Sequence, residues 1–152
     1  GQVRKGDRIA CLLIQEIMLE AFAVSMYHAV AEVAVGDLGR VFDAIGSEEE
    51  GHLEHAIREL QEARHADPDG FEDKAHQLHN EVMTVLAEMV GAHDAAGPCE
   101  LCHGSCVKDS LHHVGLSTSV LRGKALAFYL QALDRIGVRG DRSLEWVANL
   151  PT

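Results

Sequence analysis

The sequence predicts an all-α fold, an up-down bundle of four helical units whose last helix is kinked or broken. Three observations carry this expectation. Apolar residues recur at spacings of three, four and seven along several long stretches, the period of an amphipathic helix. Short connections join the stretches, which favours antiparallel neighbours. No apolar–polar alternation of useful strand length occurs in the 152 residues, which suit a single domain spanning 1–152.

The first predicted helix covers 6–35, with Ile9, Leu13, Ile17, Val24 and Ala31 as its apolar stripe. On a wheel of about 100° per residue, Glu20 falls in the centre of that stripe. Tyr27 lies beside it and Glu16 close by, whereas Glu32 points away. Gly36-Asp37-Leu38-Gly39 ends this helix and starts the next, glycine as terminator and aspartate as cap. The second helix runs over 38–65 on a buried face of Val41, Phe42, Ile45, Ala56 and Leu60. Glu49 and His52 fall on that face, where apolar residues are expected, one turn apart on the same side. Glu48, Glu50 and Glu54 read as solvent-side, and His55 as a surface histidine.

Asp67-Pro68-Asp69-Gly70 reads as a turn. A third helix follows over 71–93, with Leu78, Val82, Val85, Leu86 and Met89 as its stripe, Glu81 on one edge and His79 on the other. His76 is expected in solvent, and His93 as a capping or core group near the helix end. Asp94 to Pro98 is a break. If the next stretch is helical, Cys99, Cys102, Cys106 and His113 share one side, which Asp109 adjoins. Gly115 and Ser117-Thr118-Ser119 mark the kink, after which 119–137 is helical on Val120, Leu121, Phe128 and Ile136. Trp146 in the tail is expected to pack back on the bundle.

The formal charge is −11, which repels nucleic-acid phosphate and anionic lipid, so neither nucleic acid nor membrane is an expected partner. Charges interrupt every long apolar stretch, so no spanning helix is expected. Gly1-Gln2-Val3-Arg4-Lys5 lacks an apolar signal region, and the expected location is cytoplasmic. There are ten histidines and four cysteines, three of the cysteines within eight residues: a local thiol site, not a disulfide framework.

Chemistry concentrates in one pattern. Glu20 is followed after 29 residues by Glu49-x-x-His52, and Glu81 after 28 residues by Asp109-x-x-His112. Each half reads acid, then acid-x-x-His. Opposed in a bundle, the two halves bring four carboxylates and two imidazoles together, a ligand set for two iron or manganese ions.

Over roughly 9–114 the chain resembles the ferritin-like di-iron carboxylate superfamily, in particular rubrerythrins and aldehyde-deformylating oxygenases (fatty aldehyde decarbonylases). Glu20, six residues, then Tyr27 matches that superfamily's Glu-x6-Tyr pattern, and Glu49-x-x-His52 follows at a suitable distance. The resemblance implies that Glu20, Glu49, His52, Glu81, Asp109 and His112 are metal ligands and that Tyr27 stands beside the centre. The pattern departs at Asp109, where the superfamily has glutamate, and His113 is an alternative to His112 as ligand. Rubrerythrins also carry a rubredoxin-like iron site, which this chain lacks.

Cys99-x-x-Cys102-His103 matches the c-type haem attachment pattern, but the match is short and no export signal accompanies it. Cys99, Cys102 and Cys106 with a histidine suit zinc. A Cys-x-x-Cys at a helix start suits reversible disulfide chemistry, and a redox-active thiol pair near the metals is the favoured reading. Cys11 is expected in the core.

The expected function is a di-iron (or Fe/Mn) oxidoreductase that activates dioxygen or peroxide, an oxygenase on a small organic or aldehyde substrate or a peroxidase. The alternative is a non-enzymatic metal storage or delivery protein. The expected partners are the small-molecule substrate and an electron donor the sequence does not identify. Bundles of this kind often dimerise, which makes a homodimer an expected assembly.

Overall fold

The computed structural model describes residues 7–94, 113 and 115–150. All regular structure among them is helical. We label the helices α1 (Arg8–Val33), α2 (Asp37–Ala66), α3 (Pro68–Asp94), α4 (Thr118–Ile136) and α5 (Gly140–Ala148). The expected helix carrying Cys99, Cys102, Cys106, Asp109 and His112 lies outside the described residues.

Local chemistry fixes the helix ends. The Asp7 carboxylate accepts from the Ala10 amide at 3.1 Å and caps α1. Lys74 of α3 donates to the same carboxylate at 2.6 Å and helps hold it below its usual range. Asp67-Pro68-Asp69-Gly70 is the start of α3 and not a separate turn. Asp67 accepts from the Gly70 amide at 3.1 Å, and Pro68, which lacks an amide hydrogen, takes the first helical position at no cost. Ser117 caps α4 by accepting from Val120, and Gly137 ends it at φ 100°, a left-handed conformation that glycine adopts without strain.

α1 is not a uniform α-helix. Between the α-helical pieces Arg8–Cys11 and Glu20–Val33, the stretch Leu12–Leu19 is π-helical, and the Glu20 amide bonds the Gln15 carbonyl five residues back. The helix is also long and apolar enough, by length and composition, to cross a membrane, contrary to the sequence expectation. Glu16 and Glu20 interrupt the apolar run without lowering its mean hydropathy below that of a spanning segment.

α1 and α2 pack antiparallel: Arg8 pairs with Glu59, His28 lies over Gly46, and Gly39 approaches the Ala31 carbonyl. Leu13, Ile17, Met18 and Ala21 of α1 meet Leu53, Ile57 and Leu60 of α2, Phe71 and Leu78 of α3, and Tyr129 and Leu133 of α4 in one core. Trp146 of α5 packs back on that core, as expected, and is 5% exposed. Glu72 is buried between Arg64 of α2 at 3.2 Å and Arg142 of α5 at 2.9 Å, tying three helices together.

Two expected stripes are rotated. α2 buries Gly46, Leu53, Ala56, Ile57 and Leu60, while Val41 is 52% exposed. α3 buries Phe71, Ala75, Leu78, His79 and Met83, while Val85 is 54% exposed. In both helices a glycine or histidine occupies core space that an apolar-only reading assigns elsewhere.

Candidate metal centre

Glu20 of α1 comes from the first residue after the π-helical stretch, and Glu49 and His52 come from the middle of α2. One ligand atom from each lies within 4.8 Å of the others, the only such grouping of three found among the described residues. His52 Nδ1 donates to Glu49 Oε2 at 2.9 Å, the expected one-turn pairing.

The two carboxyl groups hydrogen-bond to each other. Burial, that hydrogen bond and the nearby charges of Glu49 and Glu16 push Glu20 up to about 7. Glu49 moves the other way: the Glu20 proton and His52 hold it below the usual carboxylate range. Without a cation, then, the pair accommodates one negative charge and one shared proton near neutral pH. A divalent cation would replace that proton and let both carboxylates ionise. Two carboxylates and an imidazole suit iron, manganese or zinc, so these residues fit one metal position.

The position opens outward. The side-chain exposures of Glu49 and His52 are 27% and 64%, so His52 is not on the buried face expected for it. The reason is the rotation of α2, whose core contacts centre on Leu53 and Ile57. Glu54 and Gln61 bond Arg135 of α4, and His52 lies on the flank roughly opposite them at ~100° per residue. The centre therefore sits on the outer flank of the α1–α2 pair, away from α4. A cleft of about 470 Å³ adjoins it, lined by Arg8, Cys11, Leu12, Glu16, His52 and His55 among others. Cys11, expected in the core, is half-exposed on this cleft. Tyr27 is half-buried nearby in sequence, its ring 6.1 Å from that of Phe42.

Of the other expected ligands, the described ones, Glu81 and the alternative His113, are not part of this group. Glu81 is exposed and accepts from Gln77 at 2.9 Å. It lies on the solvent side because α3 turns His79 inward, and the true stripe runs one position away from the expected one. His113 is exposed. Asp109, His112 and the cysteines Cys99, Cys102 and Cys106 lie outside the described residues.

Two features escaped the sequence reading. His28 sits between Glu50, 3.0 Å from Nε2, and Asp43, 3.5 Å from Nδ1. Glu50 is thus turned toward α1 and not simply solvated. Gly46 makes the arrangement possible: a Cβ there would come within 3.0 to 3.3 Å of the His28 ring. The signal was available, since Asp43, Gly46 and Glu50 follow a three-then-four spacing on one face. The second is His79, expected at a stripe edge but fully buried.

No protein-family model matches the sequence, and no curated protein matches it.

Proposed function

We propose that the chain is an oxygen- or peroxide-activating iron (or iron/manganese) oxidoreductase of the ferritin-like type. Its fold is read as an up-down four-helix bundle with an interrupted last helix. The observation that carries the proposal is the convergence of Glu20, Glu49 and His52 within 4.8 Å, where burial and the neighbouring Glu49 raise the Glu20 pKa and a cation fits between the two carboxyl groups. In this reading the three side chains form one half of a carboxylate-histidine centre. Asp109 and His112 are the candidates for the other half by the repeat in the sequence.

Bound iron would supply one-electron redox chemistry toward dioxygen or peroxide. The chain's own residues do the rest. Glu20 and Glu49 balance the metal's charge, and each has a second oxygen for a change of binding mode. The Glu49–His52 contact sets the imidazole's orientation. Glu16 and His55 in the adjoining cleft are placed to meet a small substrate or pass protons between solvent and the centre.

Metal analysis of the isolated protein beside Glu49→Ala tests the proposal. The wild type should retain iron or manganese after desalting and the variant should lose it. Equal metal content in the two sinks the reading. Oxygen uptake separates the enzyme from the storage or delivery alternative, because a storage protein consumes oxygen only in proportion to added iron. The outward opening of the centre, with His52 64% exposed, is the observation that favours keeping that alternative, since a delivery site must exchange its metal.

A further inference from the structure

The core holds a polar assembly that the metal proposal does not use. His79 of α3 is fully buried and has a partner on each ring nitrogen. Nε2 lies 3.2 Å from the main-chain carbonyl of Trp146. A carbonyl can only accept, so Nε2 carries the proton. Nδ1 of the neutral ring is then a lone pair, and the Tyr129 hydroxyl, 3.0 Å away, donates to it. Burial disfavours the imidazolium and holds the His79 pKa down, which keeps this neutral tautomer in place.

Tyr129 is also fully buried. Its ring stacks on His79 at 5.7 Å and 9°. The Trp146 indole lies 5.8 Å from His79 and 4.9 Å from His76, which is exposed. A line of four rings thus joins a phenol in the core to the surface. The phenol shares that core with Ile17 and Ala21 of α1, the helix that carries Glu20.

The arrangement constrains how Tyr129 can react. Burial raises its pKa, so loss of the proton alone to give phenolate is disfavoured. Loss of the electron alone would leave a cationic phenol in an apolar interior, which is costlier still. The two losses together leave the phenol neutral and pass one positive charge to His79, where the Trp146 carbonyl and the phenoxyl oxygen both accept from the ring. His79 Nδ1 is a base already hydrogen-bonded to the proton that must leave.

We propose that Tyr129 is a redox-active tyrosine whose proton is taken by His79 and whose electron is replaced from the surface through Trp146. Tyr129 gives one electron to a one-electron oxidant. Its O–H bond breaks as the proton moves along the existing hydrogen bond, and an N–H bond forms at Nδ1. The products are a neutral phenoxyl radical and an imidazolium that donates to the phenoxyl oxygen and to the Trp146 carbonyl. An electron from Trp146 with return of the proton from Nδ1 restores the phenol, and a one-electron reductant in solution restores the indole. A metal centre oxidised by dioxygen or peroxide belongs to the required class of oxidant, and the relay's use there rests on the metal proposal. The relay itself does not.

The test uses the metal-free full chain and photogenerated ruthenium(III) tris-bipyridine as oxidant, with persulfate as the electron sink. The chain has two tyrosines and one tryptophan, so each radical can be assigned by substitution. The tyrosyl EPR signal should persist in Tyr27→Phe, and adding Tyr129→Phe in that background should abolish it. In His79→Phe its formation should slow roughly a hundredfold, the lower end of what a positioned base contributes. Should that variant not fold, the rate in wild type must show a deuterium solvent isotope effect. Trp146→Phe should lengthen the radical's lifetime. A His79 that only locks helices together would change the melting temperature and leave the radical yield alone. A tyrosyl signal that survives Tyr129→Phe in the Tyr27→Phe background, or a rate indifferent both to a folded His79→Phe and to deuterium, overturns the relay. Failure of the metal proposal shows instead in the metal content of Glu49→Ala.

Discussion

Replacing Glu20 by glutamine should make the metal-free protein more stable at pH 8 while abolishing its metal binding. The reasoning starts from the shared proton. A carboxyl group moved from 4.5 to about 7 corresponds to about 3 kcal/mol between its charged and neutral forms. Solvent around half-buried Glu20, and the opposite displacement of Glu49, reduce this to about 1–2 kcal/mol. The sign follows from linkage. A carboxyl whose folded pKa lies above its unfolded one binds its proton more tightly when folded, so its contribution is most favourable below about 4.5 and is lost as pH rises through 7. Glutamine keeps an N–H donor toward Glu49 and never ionises. Urea denaturation of chelator-treated wild type and Glu20→Gln at pH 4 and pH 8 measures the effect. The variant should match the wild type at the lower pH and exceed it by about 1–2 kcal/mol at the higher. A difference independent of pH, or a variant less stable at pH 8, would refute the account of the pair. The pattern is that of a site shaped for a ligand at the expense of the empty fold.

Two further predictions concern the scaffold. Glu72→Ala removes the carboxylate between Arg64 and Arg142 and leaves Arg64, whose Nε is already buried without a partner, more poorly satisfied. The full cost of such a deletion is reduced because Arg142 is 50% exposed, and a loss of about 2–3 kcal/mol is expected. Thermal melts should show Tm lower by roughly 5–10 °C, and a drop under about 2 °C would mean the three-helix tie is unimportant. Gly51→Ala and Gly137→Ala should act in opposite directions. Gly51 is exposed within α2 and a Cβ there would meet nothing within 4 Å, so alanine should add about 0.5–1 kcal/mol through helix propensity. Gly137 has φ +100° and a Cβ there would lie 3.1 Å from Arg64 Nη1, so alanine should cost about 1–2 kcal/mol. A melting temperature lowered by Gly51→Ala, or one not lowered by Gly137→Ala, would contradict the respective assignment.

The helices were legible from their apolar period and, between α1 and α2, from the terminating glycine at Gly36. Pro68 read as part of a turn and Gly137 as the last helical residue, and they instead start α3 and cap α4. The grouping of Glu20, Glu49 and His52 was legible for a similar reason, since one carboxylate and one acid-x-x-His on adjacent antiparallel helices need only the right length between them. What the sequence hid was rotation. Gly46 reads as a helix weakness, yet it is buried because His28 needs the space. His79 reads as a stripe-edge residue opposite Glu81, yet its two hydrogen bonds make it a core residue, and the buried face of α3 turns toward it and leaves Glu81 in solvent. A wheel of constant pitch also cannot represent α1, because the π-helical stretch changes the angle per residue midway.

That stretch gives α1 the character of a two-part device with a phase offset. The residues before it, from Arg8 to Cys11, and those after it, from Glu20 onward, belong to two α-helical registers that no single straight helix would reconcile. The offset is on the order of one residue, the size of a single insertion. Deleting one residue between Leu12 and Leu19 would restore ordinary hydrogen bonding. It would also swing the Glu20 carboxyl by about 100° relative to the preceding half. Either Leu13 and Ile17 would keep the core or Glu20 would keep Glu49, but not both. The weaker backbone geometry of this segment is therefore what allows Leu13 and Ile17 to face the core while Glu20, just beyond it, reaches Glu49.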